Sequence, residues 1–216
     1  MRTYEDLLCP EKAYIWRITH RDNLEWILDH GIHCASSDVR DPSYINIGNA
    51  DLISKRSTHP VPIPPNGTLS DYVPFYFTPF SPMLLNIKSG RSGVVKRSNE
   101  EIVILVADLH SLASTSHPFV FTNGHAYMRL TEYFASTAEL SKVDWKLLQR
   151  RDFSGDPDDP RKMERYQAEA LIHGHLPADK LKGIVCATDL VKANIESLLA
   201  KRAMKLSVLV RPGWYF

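Results

Sequence analysis

The stretch Arg165-Tyr166-Gln167-Ala168-Glu169-Ala170-Leu171-Ile172-His173 sets one carboxylate among apolar neighbours. Read as a β-strand, it puts Glu169 on one face with Leu171, and Ala168, Ala170 and Ile172 on the other. Neither face is clearly a water face, which points to a strand held inside a sheet. A carboxylate there is costly unless it meets a cation or hydrogen-bond donors. Viewed alone, a Glu is usually exposed, with its head in solvent at a sheet rim. The rest of the chain shifts that balance.

Strands and helices interleave along the sequence. Residues 13–18, 72–77, 102–107, 183–187 and 206–210 read as strands. A first helix starts at a cap, Thr19 or Asp22, and ends near Gly31. Residues 50–57, 108–114, 131–140 and 144–150 also read as helical. Ser81-Pro82 reads as a cap followed by proline at the first helical position, with Gly90 beyond the end. A last helix spans 188–201, with Leu190, Val191, Ile195, Leu198 and Leu199 as its apolar stripe. Proline-rich residues 58–71 and turn-rich residues 153–160 read as surface loops. No repeat or low-complexity tract occurs. The pattern predicts one α+β domain over residues 1–216, with a mixed or split sheet.

Composition narrows the function classes. The 216 residues carry a net charge of +1, so nothing marks a strongly basic nucleic-acid binder, although a local basic groove remains open. Cys9, Cys34 and Cys186 lack C-x-x-C spacing, which predicts a reduced, cytoplasmic protein without a disulfide frame or zinc ribbon. The amino terminus has no apolar signal core, and the longest apolar run, residues 102–107, is too short to span a bilayer. His173 and His175 lack a third ligand, so no metal is expected. No glycine-rich dinucleotide fingerprint follows a strand.

Four segments beside Glu169 can carry chemistry. His20 ends a strand, where an imidazole can donate to a ligand or simply cap the chain. Gly48 and Asn49 lead to Arg56, whose guanidinium fork suits a diphosphate or carboxylate. The aromatic block from Asp71 to Phe77 offers a flat wall for a ring, and equally reads as core. Met83 lines a pocket or fills a core.

In this order, Ile18-Thr19-His20-x-x-Asn23, Ile47-Gly48-Asn49, Arg56, Asp71-Tyr72-Val73-Pro74-Phe75-Tyr76-Phe77, Ser81-Pro82-Met83-Leu84 and Arg165-Tyr166-Gln167-Ala168-Glu169 resemble the DarT family, bacterial toxins that ADP-ribosylate DNA using NAD. The resemblance runs from about Ala13 to Phe216. Phe80 departs from it, standing where some members carry arginine. The resemblance implies an ADP-ribosyltransferase fold, a split sheet clamping NAD. It implies that Glu169 stabilises positive charge building on the ribose as nicotinamide leaves, an effect worth roughly 3–4 kcal/mol for one group. Glu169 also becomes a candidate to accept the proton of the attacking base. By the same resemblance Arg56 serves the NAD phosphates or charge on the target base. Thr19, His20 and Asn23 hold the nicotinamide end, Gly48 and Asn49 cover NAD, Tyr76 stacks on the ring and Met83 lines the pocket.

The implied DNA target is a single-stranded base, splayed out beside the ribose. Mixed aromatic and cationic residues before Glu169 suit that contact: His125, Tyr127, Arg129, Tyr133, Lys146, Arg150, Arg151 and Arg165. Scattered cations on a helix also read as an ordinary solvated face. The implied target is thymidine, with guanosine, RNA or protein as alternatives and an inert NAD- or nucleic-acid-binding module as a further one. A macrodomain antitoxin is the implied partner, and a compact domain predicts a monomer.

Overall fold

The computed structural model describes residues 4–216; Met1–Thr3, part of the stretch read for a signal core, lie outside the described residues. Ten strands form among the described residues: β1 (Tyr14–His20), β2 (Ile32–His33), β3 (Tyr72–Tyr76), β4 (Ile102–Asp108), β5 (Phe119–Thr122), β6 (Tyr133–Phe134), β7 (Glu169–His173), β8 (His175–Leu176), β9 (Gly183–Cys186) and β10 (Ser207–Val210). The helices are α1 (Leu24–His30), α2 (Ala50–Arg56), α3 (Pro82–Ser89), α4 (Leu109–Ser114), α5 (Trp145–Arg150), α6 (Lys162–Tyr166) and α7 (Asp189–Lys201). Eight strands make one sheet in the order β10-β9-β4-β1-β3-β7-β5-β6, while β2 and β8 form a separate ribbon. β9 and β10 run parallel, joined by α7, and the remaining neighbours run antiparallel. This is the expected α+β architecture with a mixed sheet.

The sheet is split at its centre. β1 pairs with β4 along its whole length, from Tyr14↔Asp108 to His20↔Ile102. On its other edge it meets β3 through one pair, Trp16↔Tyr76. Pro74 has no N–H for the ladder. Arg17 bridges the gap instead, its Nη1 donating to Pro74 O at 2.9 Å. The main core packs both halves together. A smaller core of Val61, Leu69, Tyr72, Val120, Ala126 and Leu171 sits beside the seam, under the proline-rich loop.

Local chemistry sets the helix ends that border the seam. Asn49 Oδ1 accepts from Leu52 N at 2.8 Å and starts α2. Ser81 Oγ accepts from Leu84 N at 3.2 Å, Pro82 takes the first helical position, and Gly90 ends α3 in the left-handed region (φ 73°).

Three readings of the sequence are corrected. Residues 131–140 are not a helix: Tyr133 and Phe134 pair with β5 as β6, and a 3-10 turn, Thr137–Lys142, follows. These aromatics gain more from the sheet, where Phe134 stacks on Phe121 at 5.2 Å, than from a helix. Arg165 and Tyr166 belong to α6, so the strand begins at Glu169. Leu190 is 66% exposed and lies outside the buried stripe of α7, which is Val191, Ile195 and Leu199. Among the described residues no helix is long and apolar enough to cross a membrane.

Candidate active site

Glu169 opens β7 opposite Tyr76, so the two side chains share one face of the sheet. It is 2% exposed. Thr122 fixes its backbone: the hydroxyl oxygen accepts from Glu169 N at 3.0 Å and donates to Gly124 O at 2.6 Å. After β5 the chain turns tightly at Gly124, where a Cβ would lie 3.1–3.2 Å from Thr131 and Glu164. That turn brings Ala126 N to donate to Glu169 Oε1 at 2.9 Å. Arg56, at the end of α2, sets Nη1 3.2 Å from Oε1 and 3.0 Å from Oε2. His125 Nδ1 stands 3.8 Å from Oε1. The carboxylate thus has the cation and backbone donor that its burial demands.

A cleft of about 370 Å³ follows the seam from Arg56, lined by Arg17, Asn46, Tyr44, Ile53, Tyr72 and Pro74, with Gly31–Ala35 behind. Arg17 Nε and Arg56 Nη2 are buried and make no hydrogen bond within the protein. Two guanidinium groups with spare buried donors make the cleft a receptor for an anion. Tyr76 stands cross-strand from Glu169, its hydroxyl 3.9 Å from Met83 Sδ. Burial, and then the charge of Glu169, push the Tyr76 phenol up from its usual value, so it stays neutral.

The 124–134 loop forms the rim on the far side of Glu169. Tyr133 hydroxyl donates to Ala126 O at 2.5 Å, and Thr131 hydroxyl donates to His125 O at 2.9 Å. Tyr127 stands against His59, ring centroids 4.9 Å apart. Burial lowers the His59 pKa, helped by Arg56 and His125, so this ring favours its neutral form. Arg129, Met128 and Leu130 are exposed at the loop tip.

The structure therefore gathers Glu169, Arg56, Tyr76, Met83, His125 and Tyr127. Other sequence candidates take different positions. Thr19, His20 and Asn23 are buried; Thr19 and Asn23 bond to each other, while His20 Nε2 has no hydrogen-bond partner. Asn23 Nδ2 donates to Thr19 Oγ1 at 3.1 Å and to Ile45 O at 2.9 Å, and Asn23 Oδ1 accepts from Ile45 N at 2.8 Å. Asn23 thereby pins the loop that walls the cleft. His20 lies four residues along β1 from Trp16, roughly 13 Å from the level of Glu169 at strand spacing. Its Nδ1 accepts from Asp22 N at 3.2 Å and its Nε2 is 3.6 Å from Glu101 Oε1, so it forms no pair with Arg56 or Glu169. Gly48 lies in the turn between Asn46 and Asn49, and the Asn49 side chain is spent on capping α2 and on Ser92 O.

The DNA candidates separate as well. Arg165 is committed to Asp159 (2.8 and 2.6 Å) and Asp144 (3.2 Å), which removes it as a free phosphate contact. Arg151 lies 3.7 Å over the Phe80 ring and is a packing residue. Lys146 and Arg150 are exposed on α5, with no contact to the cleft. Sequence reading missed Arg17, Thr122, Ala126 and His59. Pro74 inside a strand was the signal for Arg17, because a missing donor invites a side chain to replace it.

Comparison with known proteins agrees over nearly the whole chain. A family model described as ssDNA thymidine ADP-ribosyltransferase, DarT, matches residues 16–216. A DNA ADP-ribosyl transferase of Escherichia coli O127:H6 is 56% identical over 213 residues, covering 99% of this chain and 98% of its own. The solved structure of Thermus sp. 2.9 DarT in complex with ADP-ribosylated ssDNA has a TM-score of 0.88 at 32% identity, covering 100% of this chain and 99% of that one. The same Thermus protein in complex with NAD+ gives 0.83 at 31% identity, over 96% and 99%.

Proposed function

The chain belongs to the DarT family, and from that membership we propose how its residues divide the work of an NAD-dependent DNA ADP-ribosyltransferase acting on thymidine in single-stranded DNA. When bound, NAD supplies an ADP-ribosyl group whose ribose becomes positively charged as nicotinamide departs. The residues present suit it. The cleft is of ligand size, and Arg17 Nε and Arg56 Nη2 offer buried, uncommitted donors to an anion.

Glu169 is the catalytic carboxylate. Ala126 N and Arg56 hold it aimed, so its field acts on the ribose without reorganisation. Arg56 doubles as an anion contact through its free Nη2. Arg17 is a second one across the seam. Tyr76, kept neutral, and Met83 form the wall against which a ring packs. Thr19, Asn23, Gly48 and Asn49 act at one remove, setting the cleft wall and α2, and His20 belongs to that frame. The His125–Tyr127 rim, with Arg129 and Tyr133, receives the target base. His125, whose Nδ1 accepts from Tyr127 N at 3.2 Å and stands 3.8 Å from Glu169 Oε1, shapes this rim beside the carboxylate.

The observation that carries this reading is the Glu169 carboxylate, 2% exposed, joined by Arg56 to an open cleft. The free cysteines support a reducing, cytoplasmic setting. A single monomeric domain working as the toxin of a pair, with a macrodomain antitoxin as partner, completes the proposal. The test is mass spectrometry of short oligonucleotides after incubation with NAD. One ADP-ribose added per thymidine-containing strand is expected. Modification of guanosine alone overturns the choice of base, and label entering only protein overturns the DNA reading.

A further inference from the structure

One loop concentrates positive charge that the chemistry above does not use. Residues 88–97 carry Lys88, Arg91, Lys96 and Arg97 and no acid. Part of that charge has a local explanation. Lys88 sits in the last turn of α3, where a cation complements the helix end, and reaches Asn99 Oδ1 at 3.3 Å. Arg97 is paired with Glu101 at 3.0 Å. Arg91 and Lys96 are exposed, and among the described residues no acidic side chain pairs with either.

The loop is also built, and its place is fixed by two routes. Arg91 N donates to Asn86 O at 3.1 Å and Arg97 N to Ile87 O at 3.1 Å, which ties both ends to α3. Asn49 Nδ2 donates to Ser92 O at 2.5 Å, which ties its tip to the cap of α2. α3 runs from Met83, beside Tyr76, to this loop. α2 runs from this loop to Arg56. Each spans roughly 10–12 Å at 1.5 Å per residue. Both routes set the loop one short helix from Glu169, outside the cleft, none of whose lining residues comes from it.

We propose that Arg91 and Lys96 bind the phosphate backbone of the single-stranded DNA, about three nucleotides from the reacting base. That spacing follows from about 3.4 Å per stacked nucleotide. Gly93 leaves the loop open to approach, since a Cβ there would meet nothing within 4 Å. The contact is sequence-independent and fits a near-neutral protein, because it concentrates the few cations needed beside the site. It rests on the reading that DNA is the substrate.

The test is transfer of labelled ADP-ribose to an oligonucleotide at several salt concentrations, with Arg91→Ala/Lys96→Ala beside the parent. The DNA KM is expected to rise about tenfold, and the slope of log(kcat/KM) for DNA against log[salt] to become shallower by about 1.4, as for two lost single-strand phosphate contacts. NAD KM and Tm stay unchanged. Shortening the oligonucleotide to the target nucleotide and one neighbour should weaken the parent and leave the variant little affected. An unchanged DNA KM and slope overturn the proposal, and a raised NAD KM in their place assigns the loop to the NAD diphosphate instead. A parent that modifies only protein sinks the underlying DNA reading, whereas an active parent with an indifferent variant sinks the loop alone.

Discussion

Arg56 and Arg165 both meet carboxylates, and their surroundings make them opposites. Arg165 spends all three nitrogens, two on Asp159 and one on Asp144, and its side chain is 32% exposed. It fastens α6 to the chain around it. Arg56 is 12% exposed, meets Glu169 through Nη1, and keeps Nη2 buried without a partner. A complete set of hydrogen bonds closes a structure. A buried donor left over is expensive, and persists where a ligand completes it. Of the two, the arginine with the spare donor lines the cleft, and the better-bonded one does not.

Removing each arginine is the sharpest way to break this contrast. Arg56→Ala leaves Glu169 buried with Ala126 N as its remaining donor, and breaking such a buried pair costs about 3–5 kcal/mol. A lowered Tm and a loss of kcat/KM of at least about 100-fold are expected. Arg165→Ala should cost about 1 kcal/mol, as a partly exposed pair does, and leave kcat/KM within about threefold. Thermal melting and steady-state kinetics on both variants check this. A large kinetic loss in Arg165→Ala with intact folding would erase the distinction.

Arg17 extends the comparison across the seam. It shares the unsatisfied character of Arg56, with Nε buried and free. Losing a charge-assisted hydrogen bond of about 1.5 kcal/mol predicts an NAD KM raised about tenfold in Arg17→Ala. Arg17→Lys should retain the tie to Pro74 O and recover part of the affinity. An unchanged NAD KM in Arg17→Ala would reduce Arg17 to a seam staple.

Much of this frame was legible before folding. Ser81, Pro82 and Gly90 announce α3 because caps act through residues a few positions away. Glu169 stood out because one charge in an apolar strand needs an explanation. Legibility ended where long-range partners decide the outcome. Arg17 acquires its place from Pro74, 57 residues away. Arg165 is indistinguishable by composition from a DNA contact until Asp144 and Asp159 close on it. Asn49 resembles a ligand contact until α2 is seen to begin there. Tyr133 and Phe134 are too short a run to announce a strand without β5 beside them.

The smallest effect concerns the frame behind His20. Glu101 accepts from Ser98 N and, with Arg97 and His20 near, its carboxyl is lowered to about 2. A depressed carboxyl contributes stability that is full above its ordinary value of 4.5 and is lost as pH falls through about 2. Melting temperatures of the parent should therefore fall across that acid window more steeply than those of Glu101→Gln. Parallel acid profiles for the two proteins would remove Glu101 from the account.

The central claim is that Glu169 is held in place to serve turnover more than to hold NAD. Glu169→Gln keeps the size of the side chain and an acceptor for Ala126 N while removing the charge. Calorimetric titration with NAD, paired with single-turnover transfer to DNA, measures binding and chemistry on the same protein. The account predicts NAD affinity within about fivefold of the parent and transfer slowed about a hundred- to a thousandfold. Transfer at the parental rate, or an affinity loss that accounts for all of the slowing, would contradict it.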